Sequence, residues 1–349
     1  MLFIFELMKS VIKARKLTIF FVAILFIVCS SVFITYIEPD VFTSPFLGFW
    51  WVMTTITTTG YGDLVPETTA GRLFAIFLYT FGVGLIGVVI GKIVEGFGIY
   101  RKLKEEGQLS YKGKDHYVVV GWSQKSKNTI QELQLSNPDV NVVVIDSTTK
   151  APFTPSSRLF YIQGDVTNID TYEKANLSEA KAILIFSPDG TMDDTAADGM
   201  TLLVASSIKS FMSQEKEKNV YTLVEIKKEN HIANFKHLEV DEFVLAGEAL
   251  SDLMARSAMF QGSSTLFMKL LSRKYDVSLW NIPKRDKWET YRDAFDDLKF
   301  EGAHLIADDE NFNIMKKLDE KLPVHANLFI ICEEEVYKHI MELVQEKSS

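Results

Sequence analysis

Cysteine is scarce in this chain: 349 residues hold two, Cys29 and Cys332, at no metal-type spacing. That argues against both a disulfide framework and a zinc site. No stripe of lysine and arginine stands out, and the formal net charge is −9. A nucleic-acid partner would need such a face, so none is expected. The six histidines, at 116, 231, 237, 304, 325 and 339, form no His-Glu-x-x-His or triad-like set. No catalytic centre is therefore legible, and the chain does not read as an enzyme. Carboxylates are also thin in the first hundred residues, so the negative charge belongs mostly to residues 101–349. An acidic soluble part is compatible with a divalent-cation site but does not establish one.

The apolar beginning is organised. Residues 17–36 form an uncharged run rich in Phe, Ile, Val and Leu, and residues 73–91 form another. At about 1.5 Å per residue, each is long enough to cross a hydrocarbon core of roughly 30 Å. A secretory signal peptide would have a shorter apolar stretch, and no small-x-small cleavage site follows at 37–40. Lys9, Lys13, Arg15 and Lys16 precede the first span, and Lys92, Arg101, Lys102 and Lys104 close or follow the second. Between the spans only Arg72 is basic, beside Glu38, Asp40, Asp63 and Glu67. This bias predicts a multi-pass protein of the plasma membrane with both termini cytoplasmic and residues 38–72 facing outward.

The outward segment contains an apolar stretch, 45–56, too short to span and suited to a re-entrant helix. It leads into Thr57-Thr58-Thr59-Gly60-Tyr61-Gly62-Asp63. This segment closely resembles the selectivity filter of potassium channels, Thr-Val-Gly-Tyr-Gly. A dehydrated potassium ion needs replacement oxygens, which stacked backbone carbonyls from four chains supply. The resemblance implies that carbonyls of Thr58, Thr59, Gly60 and Tyr61 form the rings, with the Thr58 hydroxyl completing the innermost site. Gly60 and Gly62 would allow the unusual backbone angles. Tyr61 would pack against a neighbouring subunit's pore helix, where Trp50 and Trp51 offer N–H groups, and Asp63 would cap the mouth. Thr59 departs from the common Val and adds a hydroxyl behind the filter, which could alter inactivation. The bland alternative is a Thr/Gly-rich turn between two helices.

The second span is rich in glycine. Gly87-x-x-x-Gly91 fits close helix packing, while Gly82 or Gly84 is the position for a gating hinge by resemblance to two-span channels. No helix with repeated arginines is present, so a voltage sensor of that kind has no carrier.

After a charged linker, residues 99–115, strands and helices alternate. Strands are expected at 116–120, 140–145, 159–162, 182–186, 221–224 and 242–245, with helices at 126–135, 168–175, 195–210 and 231–238. The order predicts a doubly wound parallel sheet of the Rossmann kind, binding ligands at the carboxyl ends of its strands. Gly121, Ser123 and Ser126 occupy the three glycine places of Gly-x-Gly-x-x-Gly, and Asp146 falls where a ribose-binding carboxylate belongs. Asp189, Asp193, Asp194 and Asp198 follow one strand and Glu225 ends the next. Such hard oxygen ligands suit calcium, although aspartates also favour a solvated helix start.

The stretches Val118-Val119-Val120-Gly121-Trp122-Ser123, Gly164-Asp165 and 172–182 resemble the regulator-of-potassium-conductance domain of the TrkA-N type. With the pore, the chain resembles the prokaryotic two-transmembrane potassium channels carrying that domain, including calcium-gated archaeal ones. The resemblance implies a ring of such domains whose expansion pulls on the second span, with calcium or an adenine nucleotide such as NAD as effector. Nucleotide would meet Gly121, Ser123, Asp146 and Asp165, unless the turn is purely structural. In calcium-gated relatives the later strand supplies two carboxylates one residue apart. Here Glu225-Ile226-Lys227 puts a lysine in the second place.

The expected organisation is therefore an α-helical membrane pore at 1–98, with spans at 17–37 and 73–94, pore helix 45–57 and filter 58–62. The linker 99–115 leads to an α/β Rossmann-like doubly wound domain at 116–247, a crossover helix at 248–271 for pairing domains, and a smaller α/β C-terminal lobe at 272–349. Its expected partners are potassium ions, the lipid bilayer and further copies of itself, as a homotetrameric pore and an octameric regulatory ring. No methionine lies between Met53 and Met192, so a separate soluble copy would need another start codon. Two other classes stay open at this point: a membrane-anchored nicotinamide-dependent enzyme, and a non-selective cation channel, which the Gly-Tyr-Gly disfavours.

Overall fold

The computed structural model describes residues 16–190, 193–214 and 220–345. Lys9, Lys13 and Arg15, counted ahead of the first span, lie outside these residues. The chain divides into two compact units, Met1–Leu103 and Lys104–Ser349.

In the first unit, helix α1 (Lys16–Ile37) and helix α3 (Thr69–Glu105) are long and apolar enough to cross a membrane. Between them stands the short helix α2 (Pro45–Ile56). Ser44 caps α2 by accepting from the Leu47 amide, and Pro45 sets its first turn. The core of this unit joins Ile34 and Phe42 to Trp51, Val52 and Ile56 of α2 and to Ala75 and Leu78 of α3. Gly48 permits the approach of α1, since a Cβ there would stand 2.5 Å from the Ser31 carbonyl. α3 begins at Thr69 and continues to Glu105, well past the expected 73–94. Its 37 residues reach about 55 Å, beyond the hydrocarbon core, so the expected linker is helix as far as Glu105. Charged residues end an apolar run without ending a helix, because Lys and Glu are good helix formers.

The second unit opens on a six-stranded parallel sheet: β1 (His116–Val120), β2 (Val142–Asp146), β3 (Leu159–Gln163), β4 (Ala180–Ile185), β5 (Tyr221–Ile226) and β6 (Glu242–Leu245). The spatial order is β3-β2-β1-β4-β5-β6, the doubly wound arrangement. Val118 and Val120 pack into one layer with Ile183 and Ile185, while Val119 packs into the other with Val142 and Val144. Both faces are covered, which is why these strands read as apolar runs without alternation. Crossovers include α4 (Gln124–Ser136), α5 (Ile169–Lys174) and α6 (Asp194–Met212). The helix expected at 231–238 is instead a 3-10 segment, Glu229–Phe235.

The single crossover helix expected at 248–271 is two helices, α7 (Ala246–Met259) and α8 (Ser263–Leu271), broken at Gly262 with φ 91°. The final lobe is a three-stranded antiparallel sheet of β7 (Val277–Pro283), β8 (His304–Asp308) and β9 (Asn327–Glu333), in the order β7-β9-β8. Helices α9 (Tyr291–Phe300) and α10 (Glu334–Gln345) accompany it.

Candidate filter and ligand site

The segment after α2 turns back along that helix. The Gly60 amide donates to the Thr54 carbonyl at 3.0 Å, and the Thr58 amide donates to that of Thr55. Thr58, Gly60 and Gly62 have φ of 61°, 55° and 73°, whereas Thr59 and Tyr61 are not in the positive-φ region. Reversing every second residue lets successive carbonyls face one side, where a strand would alternate them. Glycine adopts this angle freely, but Thr58 is β-branched and is a true outlier there. Such local strain persists only where the surroundings impose it, and it gathers at functional sites.

The outer part of the segment is braced by α2. The Tyr61 ring stacks on Trp50 of the same chain, with centroids 5.7 Å apart and planes 4° from parallel. Trp50 also donates its indole N–H to the Asp63 carboxylate at 3.0 Å. Within the chain, Tyr61 therefore has α2 as its partner, because the returning segment brings it level with Trp50. The Thr57 hydroxyl donates to the Met53 carbonyl at 2.7 Å, which leaves the Thr59 hydroxyl, 3.1 Å away, to donate to Thr57. The hydroxyl that replaces the usual valine thus has an internal partner behind the segment.

In the second unit a cavity of about 290 Å³ opens at the carboxyl ends of β1, β2 and β4. Gly121, Ser123 and Asp146 line it together with Trp122, Ser187 and Asp189. The Asp146 carboxylate accepts from the Trp122 and Thr148 amides, both at 2.9 Å. Beside the cavity, Lys125 reaches from the first turn of α4 to both oxygens of Glu225, at 2.7 and 2.8 Å, and to Asp189 at 2.9 Å. Burial alone would lower the Lys125 pKa, but these two carboxylates outweigh it and hold the ammonium above its ordinary value. Glu225 is 4% exposed and also accepts from the Ser187 amide.

Residues 17–97 match the family model described as "Ion channel", and residues 117–246 match that of the "TrkA-N domain". The chain thus joins a segment similar to ion channels to one similar to the TrkA-N domain. YugO of Bacillus subtilis (strain 168), whose name assigns it to the potassium channels, is 30% identical over 219 residues. That match takes in 62% of this chain and 64% of YugO. TvoK of Thermoplasma volcanium, a calcium-gated potassium channel, is 24% identical over 239 residues, 68% of this chain and 66% of TvoK. The chain thus spans slightly under two thirds of either relative. Among solved structures, the human SLO3 gating ring shares the fold at a TM-score of 0.52 and 14% identity, over 66% of this chain and 46% of that one.

Within the TrkA-N domain, three of the four expected nucleotide contacts converge and one does not. Asp165 is exposed and turned onto Thr167, whose amide and hydroxyl lower its pKa. The five expected calcium ligands are dispersed. Asp189 and Glu225 share Lys125, and Asp193 caps α6 through the Thr195 amide. Asp194 is exposed in the first turn of α6. Asp198 is 2% exposed and is taken up by the Lys227 and Lys228 amides and by His231. Among the described residues, no three His, Cys, Asp or Glu side chains converge as metal ligands would. The sequence reading missed Lys125, although a lysine in a helix's first turn opposes the dipole and asks for a carboxylate. Ser187 gave no signal at all, being one serine after an apolar strand.

Proposed function

We propose that this chain is the subunit of a potassium-selective channel whose TrkA-N domain gates the pore in response to a cytosolic ligand. Four copies would surround one axis, with potassium ions held by the carbonyls of residues 58–61 and both chain ends on the cytoplasmic side. The observation that carries this reading is the alternating backbone of Thr58, Gly60 and Gly62, braced by Trp50 and Thr54. A simple turn between helices has no reason to impose a left-handed threonine. The matched families and the relatives are those of channels and their regulatory domains, which speaks against the membrane-anchored enzyme.

For the effector, the cavity at Gly121, Ser123 and Asp146 favours a nucleotide-class molecule over calcium. Calcium would have to displace the Lys125 ammonium from Asp189 and Glu225, and Lys227 stands 3.7 Å from Glu225 as a second positive charge. Recording purified protein in planar bilayers, with potassium against sodium, tests the reading. The expected result is a reversal potential near that of potassium, with openings that respond to cytosolic nucleoside or nucleotide and not to calcium. Sodium current comparable to potassium current would overturn the selectivity. A calcium response lost in Asp189→Asn would overturn the choice of effector.

A further inference from the structure

The turn between β1 and α4 has the outline of a phosphate-binding loop, yet four of its amides, those of Gly121, Trp122, Ser123 and Ser126, are already bonded within the chain. The Gly121 amide donates to the Ile145 carbonyl and the Trp122 amide to Asp146. Ser123 and Ser126 close a reciprocal capping box: the Ser123 amide donates to the Ser126 hydroxyl at 2.7 Å, and the Ser126 amide to the Ser123 hydroxyl at 3.1 Å. A diphosphate binds such a loop because these N–H groups and the helix dipole are free to face it. Here two serine hydroxyls take the place of phosphate oxygens.

Charge argues the same way. Asp146 and Asp189 line the cavity, and the Lys125 ammonium beside it is neutralised by Glu225 and Asp189. A polyanion would meet like charge, with no cation among the described residues that line the cavity to offset it. The volume of about 290 Å³ lies at the small end for ligand sites, near a single nucleoside and short of a dinucleotide.

What the cavity does offer is neutral hydrogen bonding. Asp146 stands at the end of β2, where a carboxylate receives ribose hydroxyls, and each of its oxygens keeps lone-pair capacity beyond one amide. Ser187 is 1% exposed, lines the cavity, and its hydroxyl has no hydrogen-bond partner. A buried hydroxyl left unpaired is costly, and a ligand group can recover that cost. Trp122, Phe186 and Met200 supply apolar wall for a base.

We propose that this cavity takes an uncharged nucleoside, held through its ribose by Asp146 and through a polar group by the Ser187 hydroxyl, and gains nothing from a diphosphate. The proposal rests on the reading of the cavity as the gating site. Occupancy would also be felt outside the cavity. The Ser187 amide and carbonyl are bonded to Glu225 and Lys125, so the ligand lies one residue from the ion cluster joining α4, β4 and β5.

Calorimetric titration of the detergent-solubilised full chain with adenosine, guanosine, AMP, ADP and NAD tests it. A nucleoside should bind, with ADP and NAD no tighter. Ser187→Ala, which removes a hydroxyl no other group uses, should weaken nucleoside binding about tenfold, the loss of one hydrogen bond of about 1.4 kcal/mol. Ser126→Ala should free the Ser123 amide and tighten ADP relative to adenosine. ADP or NAD binding at least tenfold tighter than either nucleoside, or Ser187→Ala binding unchanged, would overturn the nucleoside inference while leaving the gating site in place. No binding by any of the five, with bilayer currents indifferent to them, would overturn both.

Discussion

Glu38 sits just past the C-terminal end of α1, and its carboxylate is turned under the start of α3. It is 3% exposed and accepts from the Glu67 and Thr68 amides, both at 2.9 Å, and from the Thr68 hydroxyl at 2.5 Å. Burial pushes its pKa up, but these three donors outweigh burial, with help from Arg72, and leave it below the ordinary value of 4.5. A carboxyl depressed in the folded state stabilises above its unfolded pKa, and that contribution is lost as pH falls through the folded one. The pore unit should therefore lose stability below about pH 4.5. Glu38→Gln should lower stability at neutral pH by about 1–3 kcal/mol, with a flatter acid response, both read from thermal melts across pH. Parallel acid profiles in the two proteins would show that Glu38 does not carry the effect. This contact was illegible in the sequence because its partners lie some thirty positions away and none belongs to a motif. The backbone reversals at Gly60 and Gly62 were legible because Thr-Gly-Tyr-Gly encodes a backbone conformation. The left-handed Thr58 was not, since no residue type announces it.

At the scale of elements, α3 poses the question its glycines raised. A Cβ on Gly82 would lie 2.5 Å from the Ile56 Cγ2 of α2, whereas a Cβ on Gly84 would meet nothing within 4 Å in the chain. Gly82 is thus a packing residue between the pore helix and α3, and Gly84 is left as the hinge candidate. Gly82→Ala should cost about 1–3 kcal/mol by overpacking. Adding Ile56→Ala should recover part of that loss, so the double variant is more stable than the sum of the singles implies. Gly84→Ala should leave stability near or above the starting protein and stiffen the helix by about 1 kcal/mol. If the helix bends there to open, single-channel open probability in Gly84→Ala falls; an unchanged open probability removes Gly84 as a hinge. Small-residue spacing alone could not separate these roles, because packing and bending ask for the same residue. The sheet was easier to read, since buried parallel strands declare themselves as apolar runs. β7 was not, because Ser278 is its buried polar residue and Asn281 and Pro283 break the apolar pattern.

For the whole molecule, the question is what covers α7 and α8. Neither helix has a buried residue, and Leu250, Met254, Met259, Phe260, Leu266 and Leu271 are all more than half exposed. A patch of that size is a liability on an isolated domain and is typical of an interface. Each large apolar side chain gains about 1.5–3 kcal/mol when fully buried, so a few of them suffice to hold two copies together. In the tetramer proposed above, four TrkA-N domains would lie near one another, and the effective concentration would favour pairing among copies of this chain. Placing charge on both helices, with Met254→Glu and Leu266→Glu, should leave the pore able to assemble and conduct potassium. The response to ligand should fall, because domains that no longer pair cannot convey a change in shape from one to the next. Cross-linking of the full chain in membranes should show fewer contacts between cytosolic domains in the variant. A variant that cross-links and responds like the original would mean that another surface joins the ring, and that these helices are covered by something other than their counterparts.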